Sequence, residues 1–186
     1  MTTPIKPITK LNRFIGAALT VNAGPRDNLA PWAALRLARP GDVMVIATGG
    51  YMEASVAGDI MMTMAKNAGI SAIVTDGVVR DITGANASGI PVFAAGVNPN
   101  SPQKNGPGSV GLPVVVGGVA VTAGDIVCGD EDGVVVIPAG RIAEAVKALE
   151  IVRVKEAAQE AAFRSGARAP GWIEEIALDD LFTFVD

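Results

Sequence analysis

The chain has 186 residues, 49% of them hydrophobic, with no histidine and one cysteine, Cys128. Zinc fingers, Ser-His-Asp triads, Cys-His pairs and histidine-based metalloproteases are therefore excluded. A bound metal would need oxygen ligands, which favour hard ions such as Mg²⁺, Mn²⁺ or Ca²⁺. General acid-base chemistry falls to aspartate, glutamate, lysine, Tyr51 or ordered water.

Length favours a single domain, and the charge pattern argues against a nucleic-acid partner. The formal net charge of -4 comes from 15 basic and 19 acidic residues, and the basic ones are scattered, which argues against nucleic acid. Apolar stretches such as Val43–Ala47 and Leu112–Val121 are too short to span a bilayer. The lone cysteine and the lack of an apolar secretory segment in residues 1–20 predict a cytoplasmic protein with no membrane partner.

Predicted strands and helices alternate in the first half of the chain. In chain order they are strand Phe14–Val21, helix Leu29–Ala38, strand Val43–Ala47, helix Asp59–Ala68, strand Ile70–Thr75, strand Val78–Arg80 and strand Pro91–Ala94. The continuous apolar run Val43–Ala47 is typical of a strand buried on both faces. A helix between two strands predicts a crossover unit with parallel pairing.

Helix Asp59–Ala68 has the clearest pattern of these elements. Its apolar positions recur at helical spacing, and an acidic residue begins it while Gly69 is placed for a C-cap. The predicted apolar face consists of Ile60, Met61, Met64, Ala65 and Ala68. The methionines at 61, 62 and 64 are expected to fill the core or line a pocket.

In the second half, a long loop precedes short strands and a long helix. Residues 96–111 are rich in Pro, Gly and Asn, and we expect this loop to help form the wall of a pocket. An antiparallel meander is predicted from Pro113–Val116, Val119–Val121, Asp125–Cys128 and Gly133–Ile137, followed by an amphipathic helix Arg141–Arg164 and a final short helix within Ile173–Phe184. The acidic segment Asp130–Gly133 fits a hairpin turn or, alternatively, a calcium loop.

The segment Gly58–Asp81 carries the residues most suited to chemistry. Asp59 stands at a helix N-terminus, where the amides of Ile60 and Met61 could bind an anion. Arg80 offers a planar fork for a carboxylate or an enolate oxygen, and Asp81 offers a carboxylate for a divalent ion. The same Arg-Asp dipeptide also fits an ordinary surface ion pair.

A family resemblance bears on these alternatives. Between Gly16 and Pro138 the chain resembles the RraA-like, 4-hydroxy-4-methyl-2-oxoglutarate aldolase family, in segments that include Pro40–Val43, Gly58–Asp81, Pro91–Gly96 and Pro113–Pro138. The family's pyruvate aldolases have an Asp, twenty residues and then Arg-Asp, which fall here on Asp59, Arg80 and Asp81. Members that regulate ribonuclease E usually have Gly at the first position, so the resemblance favours the aldolase branch.

The resemblance implies an α/β fold: mixed sheets flanked by helices in a swivelling-domain-like α/β/β/α sandwich, with a C-terminal helical segment. It implies a single domain, with a core at residues 1–138 and C-terminal helices at 139–186 that pack on their own or a neighbouring subunit. It also implies a trimer or hexamer with sites between subunits. Near the site, Asp27-Asn28 is expected to act as a turn or helix cap, and Arg26 stands where the family usually has Gly.

The implied activity is a lyase dependent on Mg²⁺ or Mn²⁺ that cleaves 4-hydroxy-2-oxo dicarboxylic acids to pyruvate and a second oxo acid, with oxaloacetate decarboxylation as a related activity. Asp81 would hold the metal, Arg80 would bind the oxo-acid end and stabilise the enolate, and Asp59 would order a proton-shuttling water. Gly58 and the amides of Ile60 and Met61 would bind the substrate carboxylate. A neighbouring subunit would supply Glu156, which otherwise is a solvated helix residue. The alternative is a non-catalytic RraA-type regulator of ribonuclease E.

Overall fold

The computed structural model describes residues 1–2, 4–176 and 182–183. Two compact units divide the chain, Met1–Ile142 and Ala143–Asp186. The strands are β1 (Lys6–Pro7), β2 (Phe14–Asn22), β3 (Val43–Ala47), β4 (Ser55–Ala57), β5 (Ala72–Thr75), β6 (Val78–Val79), β7 (Val92–Ala94), β8 (Gly96–Val97), β9 (Ser109–Val110), β10 (Val114–Val116), β11 (Val119–Val121), β12 (Ile126–Asp130) and β13 (Gly133–Ile137). The helices are α1 (Leu29–Ala34), α2 (Asp59–Asn67), α3 (Ile82–Ser88) and α4 (Ile142–Arg164), with short 3-10 turns at Ala139–Arg141 and Gly171–Glu175.

The main sheet is mixed. Its strand order is β1-β7-β5-β3-β2-β12-β13, and β9 pairs with the end of β2. The four central strands β7, β5, β3 and β2 run parallel, whereas β1 and the β12–β13 hairpin pair antiparallel at the two sides. The parallel pairing of β3 with β5 across α2 confirms the crossover unit predicted from the sequence.

The core lies on both faces of this sheet. Along β3, Met44 and Ile46 pack in the cluster that contains the buried residues of α1, α2 and α3. Val43 and Val45 belong to a second cluster, which includes residues of the β10–β11 hairpin. Because successive side chains of a strand point to opposite faces, a strand covered on both sides needs an unbroken apolar run. This explains why β3 has the bounds that the sequence predicts.

A second, smaller sheet contains β4, β6 and β8 in parallel. Strands β4 and β8 were not predicted from the sequence, because segments of three and two residues are too short to show an alternating pattern. Each of the three strands follows a strand of the main sheet in the chain: β4 follows β3, β6 follows β5, and β8 follows β7. The chain therefore passes from the main sheet to the smaller sheet three times.

The four strands after residue 113 form two separate hairpins, so the predicted continuous meander is wrong. Among the described strands, β10 and β11 pair only with each other, whereas β12 and β13 join the main sheet through β2. The turn between β11 and β12 redirects the chain, because the buried Asp125 carboxylate accepts hydrogen bonds from the N–H groups of Thr122 (2.8 Å) and Ala139 (2.9 Å). The backbone of Asp125 in turn pairs with Ala18 of β2 at 2.7 Å.

Helix α2 buries a narrower face than its sequence predicts. Met61, Met62 and Ala65 are buried, whereas Ile60 is 68% and Met64 47% exposed. The expectation that Met64 fills the core is therefore wrong. Helix α1 ends at Ala34, four residues before the predicted end.

In the second unit, α4 ends at Arg164 as predicted, and none of its residues is buried. Its exposed large apolar residues are Ile142, Val146, Leu149, Ile151, Val152, Val154 and Phe163. The predicted final helix is a 3-10 turn over Gly171–Glu175, and residues 177–181 and 184 of that prediction lie outside the described residues. No helix in the described ranges has the length and hydropathy needed to cross a bilayer.

Candidate functional site

The candidate site lies where the three strands of the smaller sheet end. Gly58 and Asp59 follow β4, Arg80 and Asp81 follow β6, and the loop that carries Ser101 follows β8. The carboxyl ends of parallel strands meet at one edge of a sheet, and this edge is the usual place for ligands in α/β proteins. A pocket of about 180 Å³ opens there, lined by Asn28, Trp32, Ser55, Ala57, Gly58, Asp59, Ile60, Met61, Arg80, Asp81, Ser101, Pro102 and Lys104.

Arg80 is held by three groups. Its backbone N–H donates to Ala57 O at 3.0 Å, which fixes its position beside β4. Its side chain donates from Nε to Asp81 Oδ2 at 3.2 Å and from Nη1 to Ser101 Oγ at 2.7 Å. Arg80 and Asp81 therefore form the ion pair that was the alternative prediction for an ordinary surface dipeptide. This pair, however, lies in the wall of a pocket, and the contacts with Asp81 and Ser101 orient the Arg80 guanidinium.

Asp81 has an unusual backbone conformation. It precedes α3 and adopts a left-handed conformation with φ of 61°, a region that non-glycine residues rarely enter. Such strain is typical of functional sites, where the surrounding structure holds a side chain in a required direction. Gly58 lies directly against this side chain: a Cβ built on Gly58 would be 2.5 Å from Asp81 Oδ2 and 3.1 Å from Arg80 Nε.

Asp59 begins α2, as the sequence predicts. Its Oδ1 accepts a hydrogen bond from the N–H of Ile60 at 2.7 Å, so this amide already has an acceptor. The N–H of Met61 belongs to the first turn of the helix, where an amide has no carbonyl four residues earlier within the helix. The helix terminus thus presents the Met61 amide and the Asp59 carboxylate at the same pocket.

Two polar atoms in the pocket wall lack hydrogen-bond partners. Asn28 donates from Nδ2 to Val56 O at 3.1 Å, but its Oδ1 is buried and has no partner within the described part of the chain. The indole Nε1 of Trp32 is also buried and has no hydrogen-bond partner among the described residues. Buried polar atoms without partners are uncommon and are frequently completed by water or a ligand.

Asp27 anchors the loop beside the pocket. Its Oδ1 accepts a hydrogen bond from the N–H of Leu29 at 2.8 Å, which confirms the turn alternative, whereas the N-cap residue Asn28 makes no side-chain capping hydrogen bond. Its Oδ2 accepts from the N–H groups of Asn105 at 2.6 Å and Gly106 at 3.1 Å. Burial acts to raise the pKa of Asp27, but these three donors and the charge of Lys104 outweigh it, so the pKa lies below its ordinary value. The carboxylate therefore links the start of α1 to the loop that carries Lys104.

The loop of residues 96–111 contributes Ser101, Pro102 and Lys104 to the pocket wall, in agreement with the role predicted for it. Sequence reasoning did not single out these residues, nor Trp32. The composition of the loop indicated a functional segment, but the choice of side chains depends on its path. That path is fixed by Asp27 and by the pairing of Asn28 N–H with Gln103 O at 3.0 Å.

The donor set fits a hydrated hard cation. Asp59 and Asp81 offer carboxylate oxygens, and the side chain of Asp81 is 42% exposed. Across residues 1–2, 4–176 and 182–183, no three carboxylate or thiol side chains come together as a complete ligand set. Mg²⁺ commonly keeps several waters and takes one or two carboxylates together with substrate oxygens, so a site built around Asp81 matches that preference.

The remaining candidates lie elsewhere. Asp130 pairs with Gly133 across a two-residue turn between β12 and β13, which confirms the hairpin interpretation of this acidic segment. Burial and the neighbouring Asp130 carboxylate raise the pKa of the Cys128 thiol. Glu156 is exposed on α4 in the second unit.

Fold and pocket together define a small α/β protein whose pocket, at the edge of a parallel sheet, has cationic and carboxylate side chains suited to a small anionic ligand. The chain belongs to the RraA-like family, since the family model described as Aldolase/RraA matches residues 1–136. A relative from Halalkalibacterium halodurans, named "Putative 4-hydroxy-4-methyl-2-oxoglutarate aldolase", is 38% identical over 165 residues, which are 89% of this chain and 77% of the relative.

Solved structures agree with this assignment. The RNA-processing inhibitor RraA from Thermus thermophilis is 28% identical with a TM-score of 0.70, over 74% of this chain and 84% of that chain. Streptomyces coelicolor RraAS2, described as an unusual member of the RNase ES inhibitor RraA protein family, is 29% identical with a TM-score of 0.76, over 86% and 83%. The family and the α/β fold class expected from the sequence are confirmed.

Proposed function

We propose that the protein is a divalent-metal-dependent lyase, a class II aldolase that cleaves 4-hydroxy-2-oxo dicarboxylic acids to pyruvate and a second oxo acid. Candidate substrates are 4-hydroxy-4-methyl-2-oxoglutarate and 4-carboxy-4-hydroxy-2-oxoadipate. The observation that carries the proposal is the meeting of Asp59, Arg80 and Asp81 in one pocket. The name of the 38% identical relative supports the same class of reaction.

Binding of a dicarboxylate follows from the charges of the pocket. Arg80 and Lys104 are the cationic side chains that line it, and each can pair with an oxygen of the substrate. The amide of Met61 would donate to one substrate carboxylate at the positive end of α2, and the amide of Ile60 would join it when released from Asp59. Gly58, directly before α2, would also contact this carboxylate through its backbone, while its missing side chain leaves room for the Arg80–Asp81 pair.

Cleavage removes the proton of the 4-hydroxyl group and breaks the C3–C4 bond. The electron pair of that bond becomes the enolate of pyruvate, which is then protonated at C3. Arg80 would stabilise the developing enolate oxygen, and this contact strengthens in the transition state. Asp59 would order the water that carries the proton. When bound at Asp81, Mg²⁺ or Mn²⁺ would supply Lewis-acid polarisation of the 2-oxo group.

Loss of carbon dioxide from oxaloacetate would leave the same pyruvate enolate. The groups that stabilise it in the retro-aldol reaction would therefore act in both cases. We include oxaloacetate decarboxylation in the proposal for this reason.

The test is a coupled pyruvate-release assay with Asp81→Asn, in which the carboxylate is lost but the shape is kept. We expect kcat/KM with Mg²⁺ or Mn²⁺ to fall by at least about 10²-fold. The reason is that the negative charge of the transition state would lose the metal ion held by Asp81. Chelation by EDTA abolishes activity of the unaltered protein. Asp132→Asn serves as the control, since Asp132 is exposed in the β12–β13 turn. Full activity of the unaltered protein in EDTA would refute the metal dependence.

We extend the proposal to the oligomer, a trimer or hexamer in which the C-terminal helices, residues 139–186, pack on a neighbouring subunit. The exposed apolar residues of α4 support it, because a helix with no buried residue gains stability from a covering surface. Glu156 would then complete the site of the neighbour. Mixing inactive Asp81→Asn subunits with Glu156→Gln subunits would restore part of the activity if sites are shared, and none if each chain acts alone.

A second candidate function is the non-catalytic regulator of ribonuclease E. Its support is the likeness to two solved proteins described as RNA-processing or ribonuclease inhibitors. Direct association with a ribonuclease, together with no pyruvate release from any 4-hydroxy-2-oxo acid, would favour this function. Asp59, which stands where regulators of the family usually have Gly, weighs against it.

A further inference from the structure

Gly84 occupies a position where its backbone does not need glycine. It lies in α3, three residues after Asp81, and its φ is outside the left-handed region that favours glycine. Glycine inside a helix costs about 1 kcal/mol relative to alanine, so the residue lowers the stability of its own helix. A reason for glycine must therefore come from its surroundings.

That reason is the side chain of Asp59 on α2, against which α3 packs. A Cβ built on Gly84 would collide with Asp59 Oδ2 and would lie 2.6 Å from Asp59 Cβ and 2.8 Å from Asp59 Cγ. Carbon atoms in contact normally stay about 3.5–4.0 Å apart. The space that a methyl group at residue 84 would need is already filled by the Asp59 carboxylate.

Rotation of the carboxylate alone does not relieve this collision. The Cβ of Asp59 is fixed by the backbone of α2, and Oδ1 is held by the N–H of Ile60 at 2.7 Å. A side chain at residue 84 would therefore push α3 away from α2. Because α3 begins directly after Asp81, such a shift would also move the Asp81 carboxylate and its partner Arg80.

We propose that Gly84 is a positioning residue, which sets the place of the Asp59 carboxylate and its separation from the Arg80–Asp81 pair. Gly84 touches Asp59 and acts on the reaction only through it. The catalytic part of this inference rests on the proposed lyase function. The steric coupling of residues 59 and 84 does not, and it can be measured without an assay of activity.

The experiment introduces Gly84→Ala into three backgrounds: the unaltered chain, Asp59→Asn and Asp59→Gly. Asn keeps the shape of Asp, so Gly84→Ala lowers the thermal unfolding midpoint in the first two backgrounds. Asp59→Gly removes the three atoms that lie nearest to the added Cβ, so there Gly84→Ala leaves the midpoint unchanged or raises it through helix propensity. If Asp59→Gly does not fold, Asp59→Ala replaces it, and the destabilisation by Gly84→Ala is then smaller than in the unaltered chain.

Kinetics give the second measurement, made well below the unfolding midpoints. Gly84→Ala lowers kcat for pyruvate release by about 10²-fold, the scale of a misplacement near 1 Å, with a smaller change in KM. Gly140→Ala is the matched control for the unfolding midpoint, which stays unchanged because a Cβ there meets nothing within 4 Å. An equal effect of Gly84→Ala on the midpoint in all backgrounds would overturn the inference. Coupled midpoints without pyruvate release from the unaltered protein would uphold the steric role and reject the lyase function.

Discussion

Replacing Asp27 by asparagine tests how the pocket loop is held. The Asp27 carboxylate is 8% exposed and accepts hydrogen bonds from three backbone N–H groups, those of Leu29, Asn105 and Gly106. The last two belong to the loop that carries Lys104 into the pocket. The side-chain amide of the Asp27→Asn variant would have nearly the same shape but only one accepting oxygen, so the substitution removes acceptors without creating a cavity.

The magnitude follows from the count of hydrogen bonds. If the amide oxygen of the variant faces Leu29, the N–H groups of Asn105 and Gly106 both lose their acceptor. A hydrogen bond to a charged group contributes about 1.5 kcal/mol or more, so Asp27→Asn lowers the free energy of unfolding by about 3 kcal/mol. Asp42→Asn is the control, since this carboxylate is only partly buried and accepts from the Arg39 N–H alone among the hydrogen bonds of the described residues. Its expected loss is at most about 1 kcal/mol.

The direction of the Asp27 pKa shift determines how the stability difference between the unaltered protein and the Asp27→Asn variant depends on pH. The pKa of Asp27 is lowered from its ordinary value of 3.8, so its charged form contributes stability that is present above that value. The contribution is lost as the pH falls through the lower, folded pKa. Urea unfolding at about pH 7 and at steps below about pH 4 should show the difference between the two proteins shrinking only in the acid range. A difference under about 0.5 kcal/mol at neutral pH, or one that stays constant into acid, refutes the reasoning.

Three further outcomes are expected. Arg26→Gly raises the free energy of unfolding by about 1 kcal/mol in urea titrations, because Arg26 has φ of 58° where glycine is unstrained; no gain would contradict this. Gly58→Ala lowers kcat for pyruvate release by about 10²-fold, since its Cβ would lie 2.5 Å from Asp81 Oδ2, and unchanged kinetics would show that the pair adapts. Iodoacetamide labels Cys128 more slowly at neutral pH than a free thiol, as followed by mass spectrometry, because its raised pKa leaves little thiolate; labelling at the rate of a free thiol would contradict this.

The elements that the sequence predicts well are those with a long or uniform pattern. Strand β3 has the predicted bounds because both of its faces are buried, and α4 ends at the predicted residue Arg164. Helix α2 was predicted in place, and Met61 and Ala65 of its predicted apolar face are buried, but Ile60 and Met64 are exposed. Which side of a short helix is buried depends on neighbouring elements, here α3, and an apolar residue such as Ile60 gives no sign that it is exposed.

The candidate site was predictable in part. Asp59 and the Arg80–Asp81 pair were expected to meet, since strand ends and helix starts converge in crossover units. Lys104 and Ser101 were not, because they lie in a loop whose path follows from tertiary hydrogen bonds. The nearest sequence signal is Asp27, a carboxylate in a turn, but its two partners in the loop lie 78 and 79 residues away. No local pattern reports contacts at that separation.

The relation between the mixed main sheet and the smaller parallel sheet bears on where the site lies. Strand β3 is followed by a turn at residues 48–50, and β5 is followed by Asp76. The Asp76 carboxylate accepts hydrogen bonds from the N–H groups of Thr48 at 2.7 Å and Gly50 at 3.1 Å in that turn. At the carboxyl edge of the main sheet, the turns that follow β3 and β5 are thus hydrogen-bonded to each other. In the chain, β3, β5 and β7 are followed by β4, β6 and β8, respectively. Asp59, Arg80 and Asp81 meet at the carboxyl edge of these three shorter strands. The rule that ligands bind at the carboxyl ends of parallel strands therefore applies here to the smaller sheet.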